Sequence, residues 1–419
     1  MIKITKINGK YYNLENFKHP GGNTALWHTF NRDSTILFNS YHPFSSQKKL
    51  LSILKKYEID KLPKNYKLYN NEESVPKYNF NTKFSNELKT EVKKYFEELC
   101  KKNKTTLLQS VKANKKRWFL IIILNIFRLY FFLNWISGKT ISLIMYPLTT
   151  WIAGANMFHD ACHFSLSKYS FINDLFSYSF FELSSPFTWY HQHNIGHHSY
   201  TNLEDKDPDL YHMDFLQRTT KYRKYKNIYK YQKYTTFFAW IFSYIGLIIS
   251  PNIKNLKTNI YFKIIPSFKN NFLIIVEILH ILFGIIISLL PLIFFKNIYK
   301  SIIFIIVPKL ILSILFMINS QITHIHTDCM IKNKDWYKNQ ILTASNHSLN
   351  NQFIFIFSGG LNYQIEHHLF PNVNHCHYPK IKKIIKKICI KYNVKYKEFD
   401  GYYDAFISHY KHICLMSKP

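Results

Sequence analysis

Four apolar runs, each close to the length that crosses a bilayer, constrain the fold of this chain more than any other feature. A hydrocarbon core of about 30 Å takes roughly 20 residues of α-helix. The runs lie at residues 118–136, 141–158, 272–295 and 301–319. We therefore predict an α-helical integral membrane protein with four transmembrane helices. A shorter apolar run at 235–250 is predicted to lie in the interface or to re-enter the membrane.

The distribution of positive charge orients these helices. The two short links between paired runs, residues 137–140 and 296–300, hold only three lysines. By contrast, the stretches 206–233 and 380–397 hold eight basic residues each. Because basic loops stay on the cytosolic side of a membrane, we predict two hairpins, a cytosolic helical cap and both termini in the cytosol.

The chain as a whole is strongly basic, with 55 Lys and Arg against 25 Asp and Glu and a formal charge of +30. These basic residues flank apolar segments and form no separate arm, and no nucleic-acid-reading motif is visible in the sequence. We therefore predict membrane lipids as partners and no nucleic acid. The six cysteines show no CxxC pair and no framework spacing, which indicates reduced thiols.

Histidines concentrate in three short motifs beside the apolar runs. The motifs are HDACH at 159–163, HQHNIGHH at 191–198 and QIEHH at 364–368. Imidazole is the commonest neutral metal ligand, and lone core histidines do not recur at i, i+4 and i, i+1 spacing three times over. We predict a metal centre fed from several segments. Its candidate ligands are His159, His163, His193, His197, His198, His367 and His368.

Helical spacing gives the histidines of the second motif their directions. On an α-helix His193 and His197 share a face, whereas His198 points about 100° away. This divergence favours ligands to two different metals. His191 lies opposite His193 on the same helix and is a spare candidate.

Several residues near the motifs have two interpretations. His324, just after the fourth apolar run, is either a further ligand or an interfacial histidine. Asp160 and Glu366 either hold a ligand ring through its outer N–H or lie exposed. Asp205, Asp207 and Asp209 could indicate a hard cation, but a loop position or an outer hydrogen bond is the preferred assignment. His280, inside the third run, is predicted to make a helix–helix hydrogen bond.

The N-terminal stretch carries a separate motif. Its pieces are NGKYYNL, HPGG at 19–22 and RDSTILFNSYH, which ends at His42. Residues 7–59 resemble the cytochrome b5 haem domain, a small α+β fold. The resemblance implies a haem b with His19 and His42 as axial ligands, one on each face. His28 lies too close to His19 in sequence to be the second ligand.

The motifs HxxxH, HxxxHH and QxxHH, in this order around paired apolar runs, resemble the membrane fatty acid desaturases. Gln364 stands in place of the first histidine of the last motif, as in the front-end desaturases that carry an N-terminal cytochrome b5-like domain. The resemblance implies a di-iron centre, with Gln364 as a ligand or a water-binding neighbour. The implied histidine ligands are His159, His163, His193, His197, His198, His324, His367 and His368.

The resemblance also implies a reaction. An O2-dependent front-end desaturase inserts a double bond into a long-chain unsaturated acyl group, carried as fatty acyl-CoA or acyl phospholipid. Electrons would come from NADH through NADH-cytochrome b5 reductase and the fused haem. The implied location is the endoplasmic reticulum membrane, with the active site facing the cytosol. The position of the new bond (Δ4, Δ5, Δ6 or Δ8) stays open, as does the oligomeric state.

The implied domain organisation has three parts. Residues 1–60 form the cytochrome b5-like haem-binding domain, 61–115 a linker with an amphipathic approach segment, and 116–419 the desaturase domain.

Three alternative functions remain open at this point. A b5-fused acyl or sphingolipid hydroxylase would use similar iron motifs but leave an alcohol. A membrane-tethered electron carrier would use only the haem domain. A zinc-dependent membrane protein would hold zinc in place of iron.

Overall fold

The computed structural model describes residues 3–64, 66–68, 76–243, 260–261, 265–266 and 271–419. The part of the predicted interfacial run beyond residue 243 falls largely outside the described residues. Its first part forms a helix that packs against the last apolar helix and the C-terminal helix.

The N-terminal residues form a small α+β unit. Its sheet is antiparallel, with the second strand in the middle, and Asn8 and Gly9, both at positive φ, make the two-residue turn between the first two strands. Apolar side chains from the sheet and the helices share one core. The predicted α+β fold of this region is confirmed. Its elements are β1 (Ile4–Ile7), β2 (Lys10–Asn13), α1 (Asn23–Trp27), α2 (Thr35–Tyr41), α3 (Gln47–Leu54) and β3 (Glu58–Ile59).

The rest of the chain is mostly helical. Two further two-stranded pairings occur in the described residues, β4 (Ile260–Tyr261) with β5 (Ile265–Pro266) and β6 (Asn346–His347) with β7 (Glu398–Phe399). A π-helix at Tyr190–His197 joins α9 to α10. The helices are α4 (Lys83–Asn103), α5 (Leu107–Ser110), α6 (Lys115–Ile136), α7 (Ser142–Cys162), α8 (Ser170–Ser177), α9 (Pro186–Trp189), α10 (His198–Tyr200), α11 (Gln232–Ile241), α12 (Asn271–Phe294), α13 (Ile298–Gln321), α14 (Trp336–Leu342), α15 (Gln352–Phe357), α16 (Gln364–Leu369), α17 (Tyr378–Lys391) and α18 (Tyr402–Met416).

Three helices in the described part of the chain, α6, α12 and α13, are long and apolar enough to cross a membrane. Their outer faces are apolar as well, and the clearest case is a stripe on α6 whose members are spaced three or four residues apart. Such a stripe suits contact with lipid. Its members are Phe119, Ile122, Ile126, Leu129 and Leu133.

The predicted span at 141–158 forms α7, which is not among these three. Thr149, Thr150 and Asn156 make it less apolar than the others. Its polar groups face protein instead, since Asn156 donates to the Ile356 carbonyl at 2.6 Å and α7 packs against α6 and α13. Three of the four predicted spans are therefore confirmed as long apolar helices, and the span at α7 stays a prediction.

A helical cap covers the ends of the apolar helices where the histidine motifs lie. α4 buries Phe84, Leu88, Val92 and Phe96, which recur every four residues along one face. This face packs against α17 and the segment around α14. The cap thus encloses the third histidine motif within a hydrophobic core.

Candidate metal centre

Separate elements bring all the predicted ligands into one buried region. α7 ends at the first motif, the π-helix and α10 carry the second, α16 carries the third, and His324 follows α13 directly. Because each side chain lies at the end of a helix or just after one, the segments can converge without distorting the apolar helices. The buried residues are His159, His163, His193, His197, His198, His324, Gln364, His367 and His368.

A first group consists of His159, His163, His193 and His367, whose candidate ligand atoms lie within 4.8 Å of one another. The Nε2 atoms of His159 and His193 are 3.2 Å apart. Among the described residues His163 Nε2 has no hydrogen-bond partner. All three sequence motifs therefore meet at this point.

A second group consists of His197, His324 and His368, again within 4.8 Å. The Nε2 atoms of His197 and His324 are 3.3 Å apart. This group includes the histidine after the fourth apolar run, for which the sequence left two interpretations open. The structure places His324 inside the cluster rather than at an interface.

His198 connects the two groups. Its Nε2 lies 3.2 Å from Nε2 of His193 and 3.0 Å from Nε2 of His367. With His367 and His368 it forms a third set of atoms within 4.8 Å. The two groups are therefore contiguous, and His198 faces both.

The π-helix changes the pairing predicted for the second motif. Its i→i+5 hydrogen bonds widen the turn relative to an α-helix, and Nε2 of His193 lies 3.2 Å from Nε2 of His198. The rings of His193 and His197 are stacked with centroids 5.6 Å apart, which agrees with the predicted shared face. The motif does divide between two groups, but His193 and His197 join different ones.

The hydrogen bonds of the second group test whether a cation fits there. His197 Nδ1 is 3.1 Å from both carboxylate oxygens of Asp207, and His324 Nδ1 is 2.9 Å from the Thr343 carbonyl. His368 Nδ1 is 2.9 Å from Gln340 Oε1. These oxygens only accept, so each Nδ1 carries the hydrogen and each Nε2 presents a lone pair. Lone pairs converging in a buried site fit a metal ion.

The pKa values agree with this chemistry. Burial, reinforced by neighbouring imidazoles, lowers the pKa of His324 to about 3 and holds those of His198 and His368 well below the usual value. Burial also disfavours the charged form of His197, but Asp207 and Asp209 outweigh it and raise its pKa to about 9. A positive charge is thus favoured at this ring, and a metal ion at Nε2 would supply one.

Gln364 lies within the second group. Its Nε2 atom is 2.7 Å from Nε2 of His324 and 3.3 Å from Nε2 of His368. Among the described residues its Oε1 atom is buried without a hydrogen-bond partner. Because the two ends of a carboxamide exchange by a simple flip, Gln364 can turn an oxygen toward the same point.

The acidic residues near the motifs are buried, not exposed. Asp160 accepts from Nδ1 of His375 at 2.9 Å, so it holds an outer histidine rather than a ligand ring. Glu366 accepts from Asn346 at 2.8 Å and from Tyr396 at 2.7 Å. These networks fix the segments that carry the ligands.

Two other histidines lie apart from the described groups. His191 Nδ1 donates to the Phe187 carbonyl at 2.8 Å, which orients the ring away from the ligand sets that the described residues form. His280 Nε2 is 3.0 Å from the Tyr178 carbonyl, in agreement with the predicted hydrogen bond between segments.

Four hydrogen-bond partners of the ligand rings were not predicted from the sequence. They come from distant segments, and no spacing in the sequence connects them with the motifs. They are Tyr41 at His163, Tyr378 at His367, Gln340 at His368 and Thr343 at His324.

An apolar cavity opens onto the histidines. Five of its lining residues are aromatic, and His159, His193, His197 and His324 line it as well. Such a lining suits contact with an apolar ligand. The aromatic residues are Trp151, Phe158, Phe180, Trp189 and Phe316.

The N-terminal histidines also face each other. The ring centroids of His19 and His42 are 5.9 Å apart. His42 Nδ1 donates to the Phe38 carbonyl at 2.7 Å, which leaves Nε2 as a free lone pair for iron. His19 Nδ1 accepts from the Gly21 N–H at 3.0 Å, so its ring must change tautomer to bind iron through Nε2. With that change the pair fits a haem.

Glycines permit this arrangement. A Cβ on Gly21 would lie 2.9 Å from Cε1 of His19, and Gly22 has a φ of +87°. Either position would be strained with a side chain. The HPGG motif therefore brings the His19 ring against the backbone.

Comparisons with known proteins identify the larger part of the chain. A family model described as fatty acid desaturase matches residues 112–400. The chain belongs to the fatty acid desaturase family. A second family model, for the cytochrome b5-like haem/steroid-binding domain, matches residues 4–63. The desaturase is thus fused to a cytochrome b5-like domain, as the motifs predicted.

Two of the relatives cover nearly the whole length of this desaturase, and a third covers its larger part. "Acyl-lipid (8-3)-desaturase B" of Dictyostelium discoideum is 28% identical over 98% of this chain and 90% of the relative. "Probable Delta(5) fatty acid desaturase C" of the same organism is 29% identical over 96% and 89%. "sn-1 linoleoyl-lipid 6-desaturase" of a Synechocystis strain is 30% identical over 63% and 76%. No solved structure matches the chain.

These findings confirm several predictions. The desaturase is an oxidoreductase of lipid metabolism, and its apolar helices agree with an integral membrane protein. The cytochrome b5-like domain agrees with haem as a cofactor, and the histidine groups agree with iron.

Proposed function

We propose that this chain is an O2-dependent front-end desaturase with a di-iron centre. The observation that carries the proposal is the meeting of two groups of imidazoles whose Nε2 atoms face one another. It would convert a –CH2–CH2– unit, O2, two electrons and two protons into –CH=CH– and two waters. The proposed ligands are His159, His163, His193, His197, His198, His324, His367 and His368, with Gln364 as a ligand or water-binding neighbour.

A pair of iron ions would supply the oxidant that removes hydrogen from an unactivated methylene. The residues of the chain position the rings that would bind the metal. Asp207, Thr343 and Gln340 hold the second group in one tautomer. Because all these groups are buried, the rings are positioned before substrate arrives.

The substrate we propose is a long unsaturated acyl chain, carried by a phospholipid or by coenzyme A. The cavity beside the histidines supports this, because five aromatic side chains line it. The full-length relatives support it too, since their names refer to acyl lipids and to Δ5 or 8-3 desaturation. The apolar walls would exclude water and hold two adjacent carbons toward the metal site.

We further propose that electrons come from NADH through NADH-cytochrome b5 reductase and the haem held by His19 and His42. Two imidazole ligands leave no open position on a haem, so it would pass electrons rather than bind O2.

The proposed organisation is a cytochrome b5-like domain at 1–60, a linker with an approach helix at 61–115, and a desaturase domain at 116–419. In the membrane α7 would be the fourth span, since it packs between two apolar helices. The basic segments would keep both termini and the active site on the cytosolic side of the endoplasmic reticulum.

The decisive experiment is expression in a host that lacks polyunsaturated lipids. Candidate acids are supplied one at a time, and products are analysed for mass and double-bond position. We expect one supplied acid to lose two hydrogens, with the new bond between an existing bond and the carboxyl end.

A matched variant, His197→Ala with His198→Ala, should abolish the product. A gain of one oxygen would identify a hydroxylase instead. An unchanged product in the double variant would contradict the assignment of the metal centre and favour an electron carrier. Zinc rather than iron in the purified protein would favour the third alternative.

A further inference from the structure

The cytochrome b5-like domain contacts the metal centre directly. Tyr41, the last residue of α2, lies next to the proposed haem ligand His42 in the chain. Its hydroxyl oxygen is 3.0 Å from Nδ1 of His163, a member of the first histidine group. The two rings are nearly parallel, with an interplanar angle of 15°. A single side chain therefore connects the two proposed cofactor sites.

The direction of this hydrogen bond follows from the other nitrogen of His163. His163 Nε2 lies in the first group and has no hydrogen-bond partner in the described part of the chain. If Nε2 binds metal as a lone pair, Nδ1 carries the hydrogen and donates to the Tyr41 oxygen. Tyr41 thus fixes the tautomer and the orientation of a metal-binding ring.

The surrounding contacts hold Tyr41 in place. Asn372, which follows the third motif, donates to the Tyr41 carbonyl at 2.8 Å. Phe44 stacks on Phe370 with ring centroids 5.4 Å apart. Two of the three histidine motifs therefore help to seat the b5-like domain at this point.

We propose that Tyr41 is the positioning residue that couples the haem domain to the metal centre. With both cofactors bound, the haem would give up one electron and the metal centre would gain it, and His42, Tyr41 and His163 would form the connection between the two sites. Tyr41 itself is neither oxidised nor reduced. This inference rests on the proposed function, because it assumes haem and metal in the same chain.

The test uses the full chain in detergent or nanodiscs, with Tyr41→Phe and a matched control, Tyr57→Phe. Tyr57 lies in the same domain and packs against Phe17. The fully reduced protein is mixed with O2 and substrate, and oxidation of the haem is followed by its absorption. For Tyr41→Phe we expect haem oxidation to slow by about 10-fold or more, with an unchanged Soret band and haem potential. Tyr57→Phe should behave like the wild type.

A second readout separates electron delivery from damage to the metal site. The first turnover of fully reduced protein uses electrons already stored at the metal centre. Because Tyr41 also orients a metal-binding ring, haem oxidation and first product are both expressed per bound iron, and in Tyr41→Phe the haem oxidation rate should fall more than the first product does. A haem oxidation rate per bound iron equal to the wild type would overturn the inference, and so would equal falls in haem oxidation and first product. Absence of substrate-dependent haem oxidation in the wild type would instead contradict the proposed function.

Discussion

Hydrogen bonds to the outer nitrogen of each imidazole decide which ring nitrogen faces the metal centre. Carbonyl and carboxylate oxygens at Thr343, Gln340 and Asp207 leave the inner nitrogens of the second group as lone pairs. Asp207 has the strongest role among them, because it carries charge and contacts His197 with both oxygens. A buried charge acts more strongly than a neutral acceptor.

Replacing this carboxylate gives a prediction at the scale of one residue. We expect Asp207→Asn to lower metal affinity by roughly 10- to 100-fold, because His197 loses the charged acceptor that orients it and Asn offers only one neutral oxygen. The measurement is iron per chain after dialysis against a weak chelator. Asp205→Asn, on the exposed side of the same loop, serves as the control. Equal iron retention in both variants would contradict this role of Asp207.

At the scale of the element, the π-helix sets the division of the second motif. Gly196 lies inside it, and a Cβ there would come within 2.7 Å of Cγ of Pro208 and 3.1 Å of the His191 carbonyl. The loop that carries Asp207 therefore packs directly on the helix that carries His197 and His198. The contact between Gly196 and Pro208 therefore helps to determine the positions of Asp207, His197 and His198.

We expect Gly196→Ala to disturb the metal centre more than the fold. The added methyl group must push Pro208 or the helix aside, an overpacking cost of about 1–3 kcal/mol. Iron per chain and the thermal unfolding midpoint are measured on the same preparation. Gly401→Ala, at the start of α18 where the nearest atom belongs to the Asp404 side chain, is the control. Full iron content in Gly196→Ala would contradict this prediction, because it would show that Pro208 can move aside without disturbing the metal centre.

A buried ion pair between α6 and the segment after α8 gives another prediction at this scale. Arg128 in α6 donates to both carboxylate oxygens of Glu182, and Tyr146 donates to the same group at 3.0 Å. We expect Glu182→Gln to destabilise the protein by about 3–5 kcal/mol, because Arg128 is left without its counter-ion. The measurement is the thermal midpoint. Arg128→Met combined with Glu182→Gln should recover part of the loss, and no recovery would contradict the pairing argument.

At the scale of the whole molecule, two proposed cofactor sites lie in separate parts of the fold that touch at Tyr41. The haem pair uses only the N-terminal unit, whereas the histidine groups use only the helical part. Neither set contributes a ligand to the other among the residues that the structure describes. The two cofactors should therefore be lost independently.

We expect His19→Ala to lose the Soret band while keeping the iron of the histidine centre. The reason is that the two sites share no ligand, so removal of one ring affects haem only. Both quantities are measured on one sample, by absorption and by metal analysis after haem extraction. A Soret band of normal size would overturn the assignment of His19, and simultaneous loss of non-haem iron would show that the sites depend on each other.

Much of this could be predicted from the sequence, because the relevant signals are local. Apolar length predicted the long apolar helices α6, α12 and α13, and short motifs predicted the histidines that the structure brings together, apart from His324, for which two interpretations were open. HPGG predicted the turn at His19 for the same reason, since the glycine requirement is a property of the backbone itself.

Only the tertiary structure decided how these residues pair. Spacing placed His193 and His197 on one face, and the structure puts their stacked rings in different groups. Apolar length predicted a span at 141–158, whereas Asn156 in that helix bonds to protein. The hydrogen-bond partners Tyr41 and Thr343 are far from the motifs in sequence. Local pattern identifies the ligands, but the partner of each ring depends on packing between segments that sequence order does not reveal.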